Sequence, residues 1–568
     1  MERRTLLAVF LAFVVLYVYQ TYVAPPSPPA ARQTAEAPAS TAAAAPAPET
    51  AAPTPVEPMP ETTTGVTAEA ETVLENETVR AVFSNRGGRL TSWVLKGYTD
   101  RAGAPVDLVA RDLPAGQPQP LTLETDDAAT TRALNLALYS SQIDREANRV
   151  VFSMTDASGL TARKTFQLEP ANFLLSADLS VERSGTRVPA GFVWGPGPGD
   201  LGPTTGGGFF SSDVSRAPEA LVHAGTEVER LAYSDVTETA TAREGAFRFV
   251  GIDDHYFIVA AVGAGQGKVT FTGVSHAVAG TEGRQRQLLA MQLRTQDPAT
   301  PVKFYVGPKA FDVMKAVDAE FVRAINFGFW AWLAVPFLDV LKWIYGYSGN
   351  WGWAIIILTL LMNIVIFPLR HKTAVSMRKM QEIQPQMKAI QDRYAGLKAT
   401  DPARQKMNSE IMALYKEKGA NPVSGCIPTL LTFPLLFAFY ALLSEAIELR
   451  NAPFAFWIRD LSVHDPYFVT PALMGAAMLW QQWLTPATGD PVQRRMMMFM
   501  PVLFVGMFLT LPSGLAIYYF VNTIWGIGQQ YFTNWLLGPL PVQAPRPAAE
   551  RRVKSAGSGR TEGVERKS

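Results

Sequence analysis

The chain has 568 residues, a single cysteine and a formal net charge of +1. Cys426 alone excludes a disulfide framework, and five scattered histidines without ligand spacing give no metal centre. The near-neutral total hides a segregation of charge: 27 Lys/Arg against 36 Asp/Glu over 24–350, 11 against 5 over 370–420, and 7 against 3 over 538–568.

Residues 1–23 read as a transmembrane anchor. Leu6–Val23 is apolar behind Arg3 and Arg4, is longer than the hydrophobic region of a signal peptide, and carries Tyr17, Tyr19 and Tyr22 as an interface belt. Residues 24–71, rich in Pro, Ala, Thr and Glu, cannot bury a core and read as a disordered tether.

Residues 72–308 read as an all-β sandwich. Phe173, Leu175, Ala177, Leu179 and Val181 alternate, as do Val79, Ala81 and Phe83 before the turn Asn85-Arg86-Gly87-Gly88. The run GPGPGDLGPTTGGG at 195–208 reads as a loop. Residues 309–350 turn helical, and the mixture of Trp330, Trp332, Lys342, Trp343 and Tyr345 suits an amphipathic helix in the membrane interface.

Five further apolar spans follow in 351–537: 351–369, then about 422–444, 467–484, 496–511 and 515–537, none holding Lys, Arg, Asp or Glu. With the anchor they make six. The excess of Lys and Arg in 370–420 and 538–568 puts those segments and both termini in the cytoplasm, and the acidic 24–350 outside. Between the first two of these spans, 371–419 reads as a helical hairpin. Met387, Ile390, Tyr394 and Leu397 make one stripe, Met407, Ile411 and Leu414 another, and Asp401-Pro402 starts the second arm. The hairpin is either a solvated charged pair of helices or a dock for something acidic, such as ribosomal RNA or anionic lipid.

Asn363 stands out inside the first of these spans. Thr359 precedes it by one turn on the same face, and the basic end Arg370-His371-Lys372 lies about 10 Å away along the axis. A polar stripe in hydrocarbon faces protein or water: it is either helix-to-helix hydrogen bonding or a functional surface. The last span repeats the pattern, with Tyr518, Asn522, Trp525 and Gln529 on one stripe and Tyr519 and Thr523 beside it.

Catalytic motifs fail when tested. GAGQGKVT (263–270) has Val269 where a phosphate loop needs Ser or Thr, so a β-turn is expected. Asp253-Asp254-His255 lacks a third group, and His464-Asp465-Pro466 suits a turn or helix start. No enzyme activity, cofactor or metal is expected.

Several long segments carry a resemblance. GNWGWAIIILTLLMNIVIFPL (349–369), EIMALYKEKGANPVSGCIPTLLTFPLLFAFYALL (410–443), IELRNAPFAFWIRDLSVHDPYFVTPALMG (447–475), TPATGDPVQRRMMMFMPVLF (485–504) and LPSGLAIYYFVNTIWGIGQQ (511–530) are similar to YidC-type membrane protein insertases, relatives of the Oxa and Alb insertases. The resemblance implies a polytopic α-helical membrane protein of six transmembrane helices, five of them an insertase core, with a periplasmic β-supersandwich. It implies an inner-membrane insertase and chaperone, acting alone or with the Sec translocon through a hydrophilic groove open to cytoplasm and lipid. Its partners would be nascent membrane proteins, the Sec translocon, the translating ribosome through the basic loop and tail, and anionic lipids, with no specific nucleic-acid sequence. Groove positions match Thr359, Asn363, Tyr518, Tyr519 and Asn522; substrate-contact positions match Pro434 and Leu436, for which helix packing is the alternative. Family members usually carry a groove cation where this chain has Asn363, so the resemblance implies a groove that is polar but not selective for charge. A transporter or channel with an extracytoplasmic sugar-binding β-domain is the alternative function, disfavoured by the lack of visible inverted repeats. A tethered carbohydrate-active enzyme lacks a His/Glu constellation.

Overall fold

The computed structural model describes residues 66–538 apart from 101–102, 111–112, 114–115, 199–216, 238–239, 278–284, 298–299, 395–402, 420–426 and 485–490. The expected anchor, most of the tether and of the Gly-rich loop, Leu397, Asp401-Pro402, Cys426 and the basic tail beyond Gly538 lie outside the described residues. The chain divides into two compact units that meet in sequence at Pro308 and Lys309.

The first unit is mainly antiparallel sheet. Glu71–Glu75, Val79–Ser84, Arg89–Thr99 and Pro105–Asp107 form a four-stranded meander. Its second turn holds Gly87 and Gly88, both at positive φ, where glycine avoids the Cβ penalty. A thirteen-stranded sheet makes up the rest. A chain of ring contacts through Phe83, Phe166, Phe192, Phe304 and Trp194 forms the core. The alternating strand is Leu174–Arg183; Leu175, Ala177 and Val181 are buried, while Leu179 lines a cleft of about 320 Å³ with Phe192, Leu293 and Val302.

The unit is all-β in class, as expected, with two short helices between strands: α1 (Ala128–Leu136), capped by the Asp127 carboxylate, and α2 (Tyr233–Thr237). One expectation is corrected here: 263–270 is not a β-turn. It lies inside one strand, Phe257–Ala277, that pairs first with Val302–Pro308 and then with Gln285–Thr295. Gly263 and Gly265 take positive φ where the register with Thr241–Asp253 shifts, so the glycines build a bulge that lets one strand change partners. Gly267 then allows close approach, since a Cβ there would sit 2.6 Å from the Arg294 carbonyl oxygen. Asp254 makes a local turn, its Oδ1 accepting from the Tyr256 and Phe257 amides.

The second unit is helical. The expected helix over 309–350 is several pieces: α3 (Phe311–Val317), two short 3₁₀ turns and α4 (Ala331–Ser348), which stops at Gly349 with φ 61°. On α4, Leu338, Leu341 and Ile344 are buried while Trp332, Trp343 and Tyr347 are exposed, the division of an amphipathic helix. Lys342 ties α4 down through Asp312 at 2.8 Å and Glu448 at 2.9 Å.

The Asn350 side chain caps α5 (Trp351–Arg393) by accepting from the Gly352 and Trp353 amides. This single helix of 43 residues holds both the first core span and the first hairpin arm, so the division placed at 371 is not a break in structure. α6 (Ala403–Glu417) is the second arm. Ile390, Tyr394 and Leu414 pack with Met387, Met407 and Ile411, the two stripes read from the sequence. α7 (Ile427–Glu445), α8 (Val469–Leu484), α9 (Pro491–Phe508) and α10 (Ser513–Leu537) complete the unit. Among the described residues one helical stretch, Trp351–Met380, is long and apolar enough to cross a membrane.

Candidate functional site

The helical unit is built inside out. Over 351–369 of α5 the exposed side chains are apolar: Trp353, Ile357, Leu361, Ile364, Val365 and Leu369. Its buried face holds Thr359, 0 % exposed, and Asn363, 2 % exposed. Leu473, Trp480 and Trp483 on α8, Phe499, Val502 and Leu503 on α9, and Phe532 and Trp535 on α10 are likewise exposed. Water would penalise such a surface; hydrocarbon does not.

The polar groups on the inside form a chain of hydrogen bonds. The Thr359 hydroxyl donates to the Ile355 carbonyl at 2.7 Å, and Asn363 Nδ2 donates to the Thr359 carbonyl at 2.8 Å. Asn363 Oδ1 accepts from Arg370 Nη1 at 2.7 Å, and Arg370 Nη2 lies 3.4 Å from Asn522 Oδ1 on α10. A cation therefore stands beside Asn363 although Asn363 brings none. Asn363 itself is neutral, but Arg370, read from the sequence as part of the cytoplasmic basic end, reaches back to it. Residues seven apart share a helix face, and Cα–Cβ bonds tilt toward the helix N-terminus, so a long side chain covers the turns before its own backbone. That spacing was the available signal.

Tyr518 and Tyr519 are held by rings rather than by this polar chain. Tyr518 is buried and stacks on Phe439 of α7 at 4.2 Å between centroids, and Tyr519 contacts Phe504 and Phe508 of α9 at 5.8 and 5.4 Å. The structure thus joins Thr359, Asn363 and Asn522 through Arg370 and sets the two tyrosines beside them on α10. Pro434 and Leu436 lie on α7, half-buried, five and three residues before Phe439. Gly526 allows a close approach of α8, since a Cβ there would meet Gln481 Nε2 at 2.6 Å, and Gln530 Nε2 donates to the Leu484 carbonyl at 2.9 Å.

At the other end of the core, the segment 446–468 is ordered by one carboxylate. Asp465 Oδ1 accepts from Trp457 Nε1 at 2.9 Å and from the Tyr467 amide, and Oδ2 accepts from the Thr470 amide at the start of α8. Burial pushes its pKa up, but these hydrogen bonds outweigh burial and hold it below the ordinary aspartate value. The turn and helix start expected at His464-Asp465-Pro466 are thus present. A side chain on Gly352 would run into the Phe454 ring of this segment.

A family model described as 60Kd inner membrane protein matches residues 343–537, and one described as YidC periplasmic domain matches 71–340. A membrane protein insertase YidC of Geobacter metallireducens is 35% identical over 561 residues, covering 94% of this chain and 98% of that protein. The chain belongs to the YidC family of membrane protein insertases. The YidC of Campylobacter jejuni is 30% identical over 554 residues, covering 94% of this chain and 96% of its own. A solved structure, an active YidC insertase with its first transmembrane domain resolved, aligns with 82% of this chain and 93% of that one at 17% identity and a TM-score of 0.35.

Proposed function

We propose that this chain inserts and folds integral membrane proteins in the inner membrane, alone or with the Sec translocon. The polar chain Thr359–Asn363–Arg370–Asn522 would be the wall that receives a substrate's hydrophilic flank. In this reading six spans cross the membrane, both termini are cytoplasmic and the β unit is periplasmic. The carrying observation is the division of α5 over 351–369, where both polar side chains, Thr359 and Asn363, are buried and the exposed side chains are apolar. A substrate's polar flank would have to cross about 30 Å of hydrocarbon unaided. Polar partners partway through shorten that dry distance, while burial of the substrate's apolar segment in lipid supplies about 0.8 kcal/mol per CH₂. Pro434 and Leu436 would guide that apolar segment along α7. Nascent membrane proteins are the substrates, and the basic hairpin and tail would meet ribosomes and anionic lipid.

A photo-crosslinking residue placed at Asn522, Tyr518 or Leu436 should capture a stalled nascent membrane protein, and one at the exposed position Val365 should capture mainly lipid. A substrate that inserts normally yet crosslinks at none of the three inner positions refutes the proposed wall.

A further inference from the structure

The segment 446–468 turns its aromatic side chains outward. Phe456 is 94 % exposed and Tyr467 70 %, and Phe468 is exposed beside them in sequence, while Ile458 and Leu461 are buried. Phe456 and Phe468 both have φ of 55°, the left-handed region that a bulky side chain enters only where its surroundings hold it there. The rest of the segment is firmly tied. The Val463 and Leu461 carbonyls accept from the Ser513 and Gly514 amides at 2.7 and 3.0 Å, satisfying free N–H groups at the start of α10. Asn350 Nδ2, at the start of α5, donates to the Phe454 carbonyl at 3.1 Å. The aromatic tip is thus a built feature, and water does not favour its exposure.

We infer that 446–468 is a membrane-interface anchor whose aromatic tip enters the periplasmic leaflet of the bilayer. The inference rests on the reading above that the helices cross the membrane, and not on the insertion site. Its level follows from α5. Trp353, exposed in the first turn, meets the Phe454 ring at 5.7 Å between centroids, and the exposed Val365 lies about 18 Å further along the helix. With Trp353 at the edge of a hydrocarbon core ~30 Å thick, Val365 falls near the midplane. At its other end the segment runs directly from Phe468 into α8, which exposes Leu473 and Trp480. The tip is therefore continuous with the apolar surface of the helices. Charge agrees with a lipid. The carboxylates of 446–468 are engaged within the protein: Glu448 with Lys342 at 2.9 Å, Asp460 with the Ser462 amide and hydroxyl, and Asp465 with Trp457. The exposed ion of the segment is a cation, Arg459, the match for a lipid phosphate. Rings below the phosphates and a guanidinium among them are how an interfacial segment holds a bilayer. Because the same segment satisfies the starts of α5 and α10, the anchor ties the depth of both helices to the periplasmic leaflet.

The test uses the full-length protein with Cys426→Ser, which removes the one native cysteine, in vesicles of phosphatidylethanolamine and phosphatidylglycerol. A nitroxide is attached through Phe456→Cys, Tyr467→Cys or Val365→Cys in turn. Its collisions are measured with oxygen, which concentrates in lipid, and with a nickel chelate, which stays in water. The labels at 456 and 467 should favour oxygen, less strongly than the label at 365. Adding Phe456→Asp should shift the label at 467 toward the chelate, and adding Phe456→Trp should leave it in place; both changes fall on an exposed side chain and spare the buried side of the segment. Labels at 456 and 467 that collide mainly with the chelate, while the label at 365 favours oxygen, overturn the inference. So does protection from both probes, the mark of a protein surface covering the tip, and so does a label at 467 that ignores Phe456→Asp. A label at 365 that favours the chelate would sink the membrane-crossing reading and the anchor with it.

Discussion

Lys164→Met should destabilise the β unit without stopping insertion. Lys164 is fully buried. Its Nζ donates to the carbonyl oxygens of Gly87 at 2.6 Å, Leu121 at 2.8 Å and, more weakly, Gly88 at 3.3 Å. The Lys164 nitrogen thus fastens the Gly87-Gly88 turn of the small sheet to the strand Leu160–Leu168 of the large one. Methionine keeps the stem and leaves two well-bonded carbonyls without a donor, a cost of ~1–3 kcal/mol each. Relief from burying a charge offsets part of that, since buried ions are costly. The net expectation is ~2–3 kcal/mol, or about 30-fold or more in local opening. Hydrogen exchange of full-length protein in detergent, read on peptides from Val79–Ser84 and Leu160–Leu168, measures it. Burial draws the Lys164 pKa well below the ordinary lysine value. In the window just below that ordinary value, the unfolded chain therefore binds the extra proton, and stability rises with pH. The advantage of wild type over Lys164→Met should widen between about pH 8.5 and 10. Exchange unchanged by the substitution, or an advantage that shrinks with pH, would refute the reasoning. Insertion lost in step with β-unit stability would refute the separation of the two units' roles.

Removing 72–300 while keeping α4 should leave complementation of a depleted strain intact; a stable deletion protein that inserts nothing would sink this. Asp465→Ala removes three hydrogen bonds that order 446–468 and the start of α8, at a cost of ~1–2 kcal/mol. Because the folded pKa of Asp465 is lowered, its contribution is present above the unfolded value near 4 and fades as pH falls through the folded one. Protease sensitivity of 446–468 should therefore rise in the variant at pH 7 and in wild type only in acid. Ribosome co-sedimentation through the basic 370–420 and 538–568 segments, which together carry a net +10, should weaken steeply with salt; salt-independent binding would exclude an electrostatic dock.

The local codes of this chain were legible without coordinates. Period-2 alternation marked the strands at Val79–Ser84 and Leu174–Arg183, and period-3.6 stripes marked the hairpin through Met387, Ile390, Met407 and Ile411. Uninterrupted apolar length marked the core helices, and Asn363 announced itself because polarity inside hydrocarbon is costly. Those signals are near-neighbour properties of backbone geometry and hydration, so the amino-acid order suffices for them. Partner choice is different. GAGQGKVT reads the same whether its glycines make a turn or a mid-strand bulge, and only pairing with two other strands decided for the bulge. Arg370 likewise reads as one more cytoplasmic charge until α10 brings Asn522 to its reach and Asn363 turns its oxygen outward. A flexible side chain longer than one helical turn can end in water or inside the bundle, and its sequence neighbours do not choose. The packed helices choose, because they place the hydrogen-bond acceptors that make the inward conformation the stable one.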